Sequence, residues 1–130
     1  MSKLLDTNTY TELKAGHAGA IRLVNEAVEI LFSVVVIAEL LYGFRHGTQF
    51  ARNLAGLEEI LAAPRVRVLP VSRLTADRYG RISAALRTTG KMIPTNDIWI
   101  AAHTFESGAE LLSFDAHFAA VPGLVWTHLR

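Results

Sequence analysis

The chain contains no cysteine, which removes thiol nucleophiles, zinc–thiolate sites and a disulfide framework and makes a reducing cytoplasm the expected compartment. Any metal must then be held by oxygen or imidazole ligands. A membrane-length apolar run is also missing, because the longest, Ile30 to Ala38, is about half a span and contains Ser33. The opening Met1-Ser2-Lys3-Leu4-Leu5-Asp6 meets a carboxylate before a signal-peptide core can form, so neither a leader nor a membrane partner is expected. Internal repeats, low-complexity tracts and linkers are absent. So are the phosphate-loop and dinucleotide fingerprints and the Gly-x-Ser-x-Gly elbow. What remains is 130 residues, 51% of them hydrophobic, enough for one domain over residues 1–130 and too little for two.

Net charge is only +1, but it is unevenly divided. Between Arg45 and Lys91 nine basic residues face Glu58, Glu59 and Asp77, a local balance of +6, and the rest of the chain carries −5. Such a split suits a protein that holds a cation with one set of residues and steers a polyanion with another. Arginines that merely decorate the outer faces of amphipathic helices account for it equally well.

Apolar runs alternate with helical periodicity along the whole length. Lys3-Leu4-Leu5 reads as a buried strand ended by Asp6-Thr7-Asn8, which starts a helix. Leu31 to Val36 is β-branched and reads as a second strand, before helix formers begin at Ile37. Phe50, Leu54, Leu57 and Leu61 predict an amphipathic helix stopped by Pro64. Val66–Leu69 predicts a strand, and Thr75–Thr89 a helix closed by Gly90. Pro94-Thr95-Asn96-Asp97 starts a helix that Gly108 ends, Glu110–Phe114 predicts a strand closed by Asp115, and Leu124–Trp126 a last strand. This alternation implies an α/β fold with a central, mainly parallel sheet covered on both faces.

Ligands in such a fold bind beyond the carboxyl ends of the strands. Asp6 and Asp115 follow their strands, Glu39 lies just past the second, and Asp97 sits in the first turn of its helix, so all four are predicted at one rim. Singly, Asp6 and Asp115 are explained as helix caps worth about 1 kcal/mol, and Asp97 as a partner of the helix dipole. Glu39, between Ala38 and Leu40, either faces solvent on its helix or is costly to bury unless a cation meets it. Together, four converging acids would repel one another and raise each other's pKa values. Magnesium resolves the conflict, since it takes hard oxygen ligands, and it can activate water and stabilise a leaving oxygen in phosphodiester cleavage. Thr7, Asn8, Asn96 and Ser113 stand beside these acids and would orient carboxylates or water, or else serve only as cap and turn residues.

Leu4-Leu5-Asp6-Thr7-Asn8, Ala38-Glu39-Leu40-Leu41-Tyr42-Gly43, Asn96-Asp97-Ile98-Trp99-Ile100-Ala101-Ala102 and Leu112-Ser113-Phe114-Asp115-Ala116-His117-Phe118 resemble, in order and spacing, the PIN-domain proteins of the VapC toxin type. The resemblance runs nearly end to end. It implies a three-layer α/β/α sandwich and one or two magnesium ions, with manganese able to substitute. It further implies endonucleolytic cleavage of RNA leaving a 5′-phosphate, and Asp6, Glu39, Asp97 and Asp115 as the catalytic, metal-holding cluster. It also implies a cognate antitoxin that blocks the site, and a homodimer. Thr9 and Tyr10 depart from the usual aliphatic pair, and Phe114 from a common polar residue. An Asp-nucleophile phosphatase would need a second aspartate where Asn8 stands, and a non-catalytic RNA- or protein-binding relative is expected to have lost an acid. His103, six residues beyond Asp97, falls on the opposite helical face. His117, two residues beyond Asp115, is within reach of substrate but reads first as an exposed helix-start residue, and Trp99 and Trp126 read as core or interface.

Overall fold

A computed structural model describes residues 1–130. Five strands form one sheet: β1 (Lys3–Leu5), β2 (Ile30–Ser33), β3 (Val66–Leu69), β4 (Glu110–Ser113) and β5 (Trp126–His128). Their spatial order is β3-β2-β1-β4-β5, and every pairing is parallel. Between them run α1 (Thr7–Lys14), α2 (Ala18–Glu26), α3 (Val34–His46), α4 (Phe50–Leu61), α5 (Arg73–Thr89) and α6 (Thr95–Ser107). The chain steps from β1 through β2 to β3 in one direction and then crosses back to β4. Right-handed crossovers therefore lay α1–α4 on one face and α5–α6 on the other, giving three layers. No helix is long and apolar enough to cross a membrane.

Leu4, Leu5, Leu31, Phe32, Leu111 and Leu112 are all buried in the three central strands, as a parallel sheet covered on both faces requires. The β1 register sets Leu5 opposite Phe32 on one side and Leu112 on the other. Because strand order reverses at β1, the crevice between β1 and β4 is the topological switch point, where open α/β sheets present polar groups.

Two expectations shift. The second strand ends at Ser33, and Val34–Val36 open α3. The Ser33 hydroxyl accepts the Val35 N–H at 3.1 Å, a cap that overrides the β preference of three valines. The last strand starts at Trp126, two residues later than Leu124. The segment between Asn8 and β2 forms two helices, with His17 capping the second through the Ala20 N–H.

Candidate active site

The four acids converge. A cleft of about 510 Å³ at the carboxyl end of the sheet is lined by Asp6, Glu39, Asp97 and Asp115, with Thr7, Asn8 and Asn96 around them. No lysine or arginine lines it.

Asp6 is 5% exposed and is fixed at both oxygens. The Thr9 N–H donates to Oδ1 at 3.0 Å, which is the α1 cap, and the buried Ser113 hydroxyl donates to Oδ2. Ser113 sits at the end of β4, adjacent to β1, and its oxygen also accepts the Asp115 N–H at 2.9 Å. One hydroxyl therefore locks two acids across the switch point. Burial pushes the Asp6 carboxyl up, the hydrogen bonds from Ser113 and Thr9 oppose this, and the nearby Asp115 charge adds to it. Thr9, a departure from the aliphatic pattern, also donates its hydroxyl to the Leu112 carbonyl at 2.7 Å, tying α1 to β4.

Glu39 is half-buried and is met by neutral donors, the Thr7 hydroxyl at 2.5 Å and the Asn96 amide at 3.3 Å. Asn8 is exposed on the cleft wall, and its side chain makes no hydrogen bond within the protein. Asp97, in the first turn of α6, has its side chain 17% exposed. Its carboxyl is pushed up to about 6, first by burial, then by the Asp115 charge and less by Glu39, while His117 pulls it down. Asp115 caps a 3-10 turn by accepting the His117 N–H at 2.8 Å.

His117 is exposed at the start of its 3-10 turn, as its sequence position implies, and its ring also approaches the acids. Its Nδ1 lies 3.1 Å from Asp115 Oδ1 and 3.4 Å from Asp97 Oδ2, so the ring faces the acids although its side chain is 55% exposed. Asp97, Asp115 and His117 present ligand atoms within 4.8 Å of one another, close enough to share one cation. His103 stands apart, as expected: it is fully buried, with Nδ1 2.9 Å from Ser33 Oγ and Nε2 3.0 Å from the Pro70 carbonyl. Trp99 packs on Tyr79 at a centroid distance of 4.2 Å, and Trp126 on Phe118 at 6.1 Å.

The basic stretch divides. Arg65 donates to the Val24 and Ala27 carbonyls, Arg67 pairs with Glu29, and Arg81 with Asp77. Arg45 lies over the Phe50 ring and Arg78 near Phe105. Arg52, Arg73, Arg87 and Lys91 are exposed and make no ion pair.

The PIN domain profile matches residues 3–124. "Ribonuclease VapC2" of Haemophilus influenzae is 36% identical over 92 residues, covering 71% of this chain and 68% of that protein. VapBC2 of Rickettsia felis, solved with a promoter DNA fragment, superposes with a TM-score of 0.87 at 24% identity over all of both chains, a likeness of fold. VapBC-5 of Mycobacterium tuberculosis, described as a member of the VapBC family of toxin–antitoxin systems, superposes at 0.75 with 26% identity over 97% of this chain and 95% of that one. The chain thus belongs to the PIN-domain family, among its VapC-like members.

Proposed function

We propose that this chain, as a single domain over residues 1–130, is a divalent-metal-dependent endoribonuclease and the toxin of a toxin–antitoxin pair. The observation that carries the reading is a cleft holding Asp6, Glu39, Asp97 and Asp115 with no basic lining residue. The donor set fits magnesium, with manganese as a substitute, because every one of these acids offers hard oxygens. The raised Asp97 carboxyl supports the fit, since burial first and then the Asp115 and Glu39 charges act on it, with only His117 opposing them. Asp6, Glu39, Asp97 and Asp115 would hold the ion. When bound, it would supply Lewis-acid charge for the phosphate and acidify water for phosphodiester hydrolysis.

The chain's own residues do the positioning. Ser113 aims Asp6 and holds the backbone of Asp115, while Thr7 and Asn96 hold Glu39 from two sides. Asn8, free of internal partners, has its amide available to substrate or water at the cleft wall. Both Asp6 oxygens accept hydrogen bonds, which blunts a nucleophile and speaks against phosphoryl transfer to Asp6. A protein partner follows from the toxin reading. VapBC-5, a relative of the same fold, belongs to a toxin–antitoxin system, and a basic side chain from such a partner would satisfy the acids in the cation's place. The reading includes a homodimer acting in the cytoplasm.

Two assays test it. Purified chain, free of any partner, should cut structured RNAs with magnesium and stop with excess chelator, and chelator-resistant cleavage would remove the metal from the reading. Expressed in cells, the chain should arrest growth, the neighbouring reading frame should relieve the arrest, and Asp6→Ala should abolish it. Harmless expression of a folded, active nuclease would count against the toxin role alone.

Phosphate steering is tested through salt. Neutralising Arg52, Arg87 and Lys91 should weaken RNA binding and shallow its salt dependence by about 0.7 per lost phosphate contact in log–log slope. Neutralising Arg67 and Arg81, which pair with Glu29 and Asp77, should leave the slope nearly unchanged. Equal slopes for both sets and the unaltered protein would return the free basic residues to solvated decoration.

A further inference from the structure

We propose that His117 is a ligand of the cation at this cleft, through Nδ1, and that its nitrogen tilts the site toward manganese over magnesium. The inference rests on the reading of the cleft as a metal site and adds a residue and a selectivity to it.

The cap that starts the 3-10 turn needs only the His117 backbone N–H, which donates to Asp115 Oδ1. The ring is not needed there. It nevertheless folds back so that Nδ1 faces Asp115 Oδ1 at 3.1 Å and Asp97 Oδ2 at 3.4 Å, and Nε2 has no hydrogen-bond partner within the protein. Adjacent ligands of an octahedral ion with bonds of about 2.1 Å lie about 3 Å apart. The 3.1 Å separation is that of neighbouring corners of such a shell and the 3.4 Å one is slightly wider, with the three ligand atoms grouped within 4.8 Å. A neutral imidazole carries a lone pair on one ring nitrogen, and with Nδ1 this close to both carboxylates an ion held between them lies within its reach. The chemistry then sets preference. Both ions take carboxylate oxygens, but manganese, the softer first-row transition metal, accepts an imidazole nitrogen more readily than the hard magnesium ion does.

The test compares the unaltered protein with His117→Ala and His117→Gln, using manganese and magnesium alone as probes. Binding is followed by calorimetry, and nitrogen coupling to bound manganese by pulsed electron paramagnetic resonance. The side chain is more than half exposed and the cap uses only the backbone N–H, so both variants should keep the native melt, with glutamine retaining more of the side-chain volume. A nitrogen coupling present in the unaltered protein should vanish in both variants. Manganese affinity should fall about 10-fold or more, and magnesium affinity by less than about 3-fold. An unaltered protein that binds manganese without nitrogen coupling, or variants that keep full manganese affinity, would overturn the assignment while leaving the acidic site standing. Manganese binding untouched by Asp97→Asn, or no binding at all, would overturn the metal reading itself and His117 with it.

Discussion

Replacing Asp97 by asparagine should lower RNA cleavage by at least about 100-fold, the upper end of what loss of even a supporting group costs a metal site, while the metal-free protein melts no lower than the unaltered one. The two effects have one cause. The Asp97 carboxyl is raised from 3.8 to about 6 by burial and by the Asp115 and Glu39 charges. A raised carboxyl means the folded state holds its proton where the unfolded state has lost it. Stability from this group is therefore present below about pH 4 and is lost as pH rises through about 6. At neutral pH the charged form costs on the order of 2 kcal/mol, discounted for the exposed part of the side chain. Asparagine removes the charge and keeps the shape. Melting curves of both metal-free proteins at pH 5 and pH 7.5 should show the gap between them widening at the higher pH, and saturating magnesium should close it from the unaltered side only. A folded Asp97→Asn protein with near-normal turnover would reduce Asp97 to a helix-start residue.

His103→Ala should be among the most damaging single changes to the fold. The ring is fully buried on α6 and joins Ser33, which caps α3, to the Pro70 carbonyl beyond β3. Alanine leaves a cavity and strands both polar groups, a loss of about 3–4 kcal/mol, or roughly 10 °C in melting temperature. His103→Phe fills the volume but cannot bond Ser33 or Pro70. If phenylalanine restored full stability, packing would explain the site and the hydrogen bonds would contribute nothing. The same linkage reaches function, because α6 begins with Asp97 and α3 carries Glu39. Loosening His103 should therefore weaken metal binding more than equal destabilisation produced far from these two helices.

Much of the site was legible because strand ends and helix starts are local events. Asp6 after Leu5, Asp97 after Pro94 and Asp115 after β4 could each be assigned to a rim from a few neighbouring residues. The capping reading of Asp6 and Asp115 also proved correct as structure: both accept backbone N–H groups, at 3.0 and 2.8 Å. Cap and site residue are the same group, since a carboxylate has lone pairs left over after one hydrogen bond. The valines at 34 to 36 misled because their β preference is weak beside a serine cap. The nine basic residues could not be divided into free and paired ones beforehand, because charge counts ignore whether a guanidinium is already occupied, as at Arg65, Arg67 and Arg81.

By itself the sequence determined the alternation of buried strands and amphipathic helices, the absence of any ligand but oxygen and imidazole, and the set of acids standing at strand ends. These are short-range properties, carried by periodicity and by residue chemistry within a turn or two. Only the tertiary structure decided which residues meet. Setting β1 beside β4 brings Ser113 to Asp6 across 107 residues, and packing α6 against α3 brings Asn96 to Glu39 across 57. It also turned His117 toward Asp97 and buried His103 between two strand ends. Such meetings depend on strand order and register, which arise from burying the whole core at once and leave no mark in any local stretch of sequence.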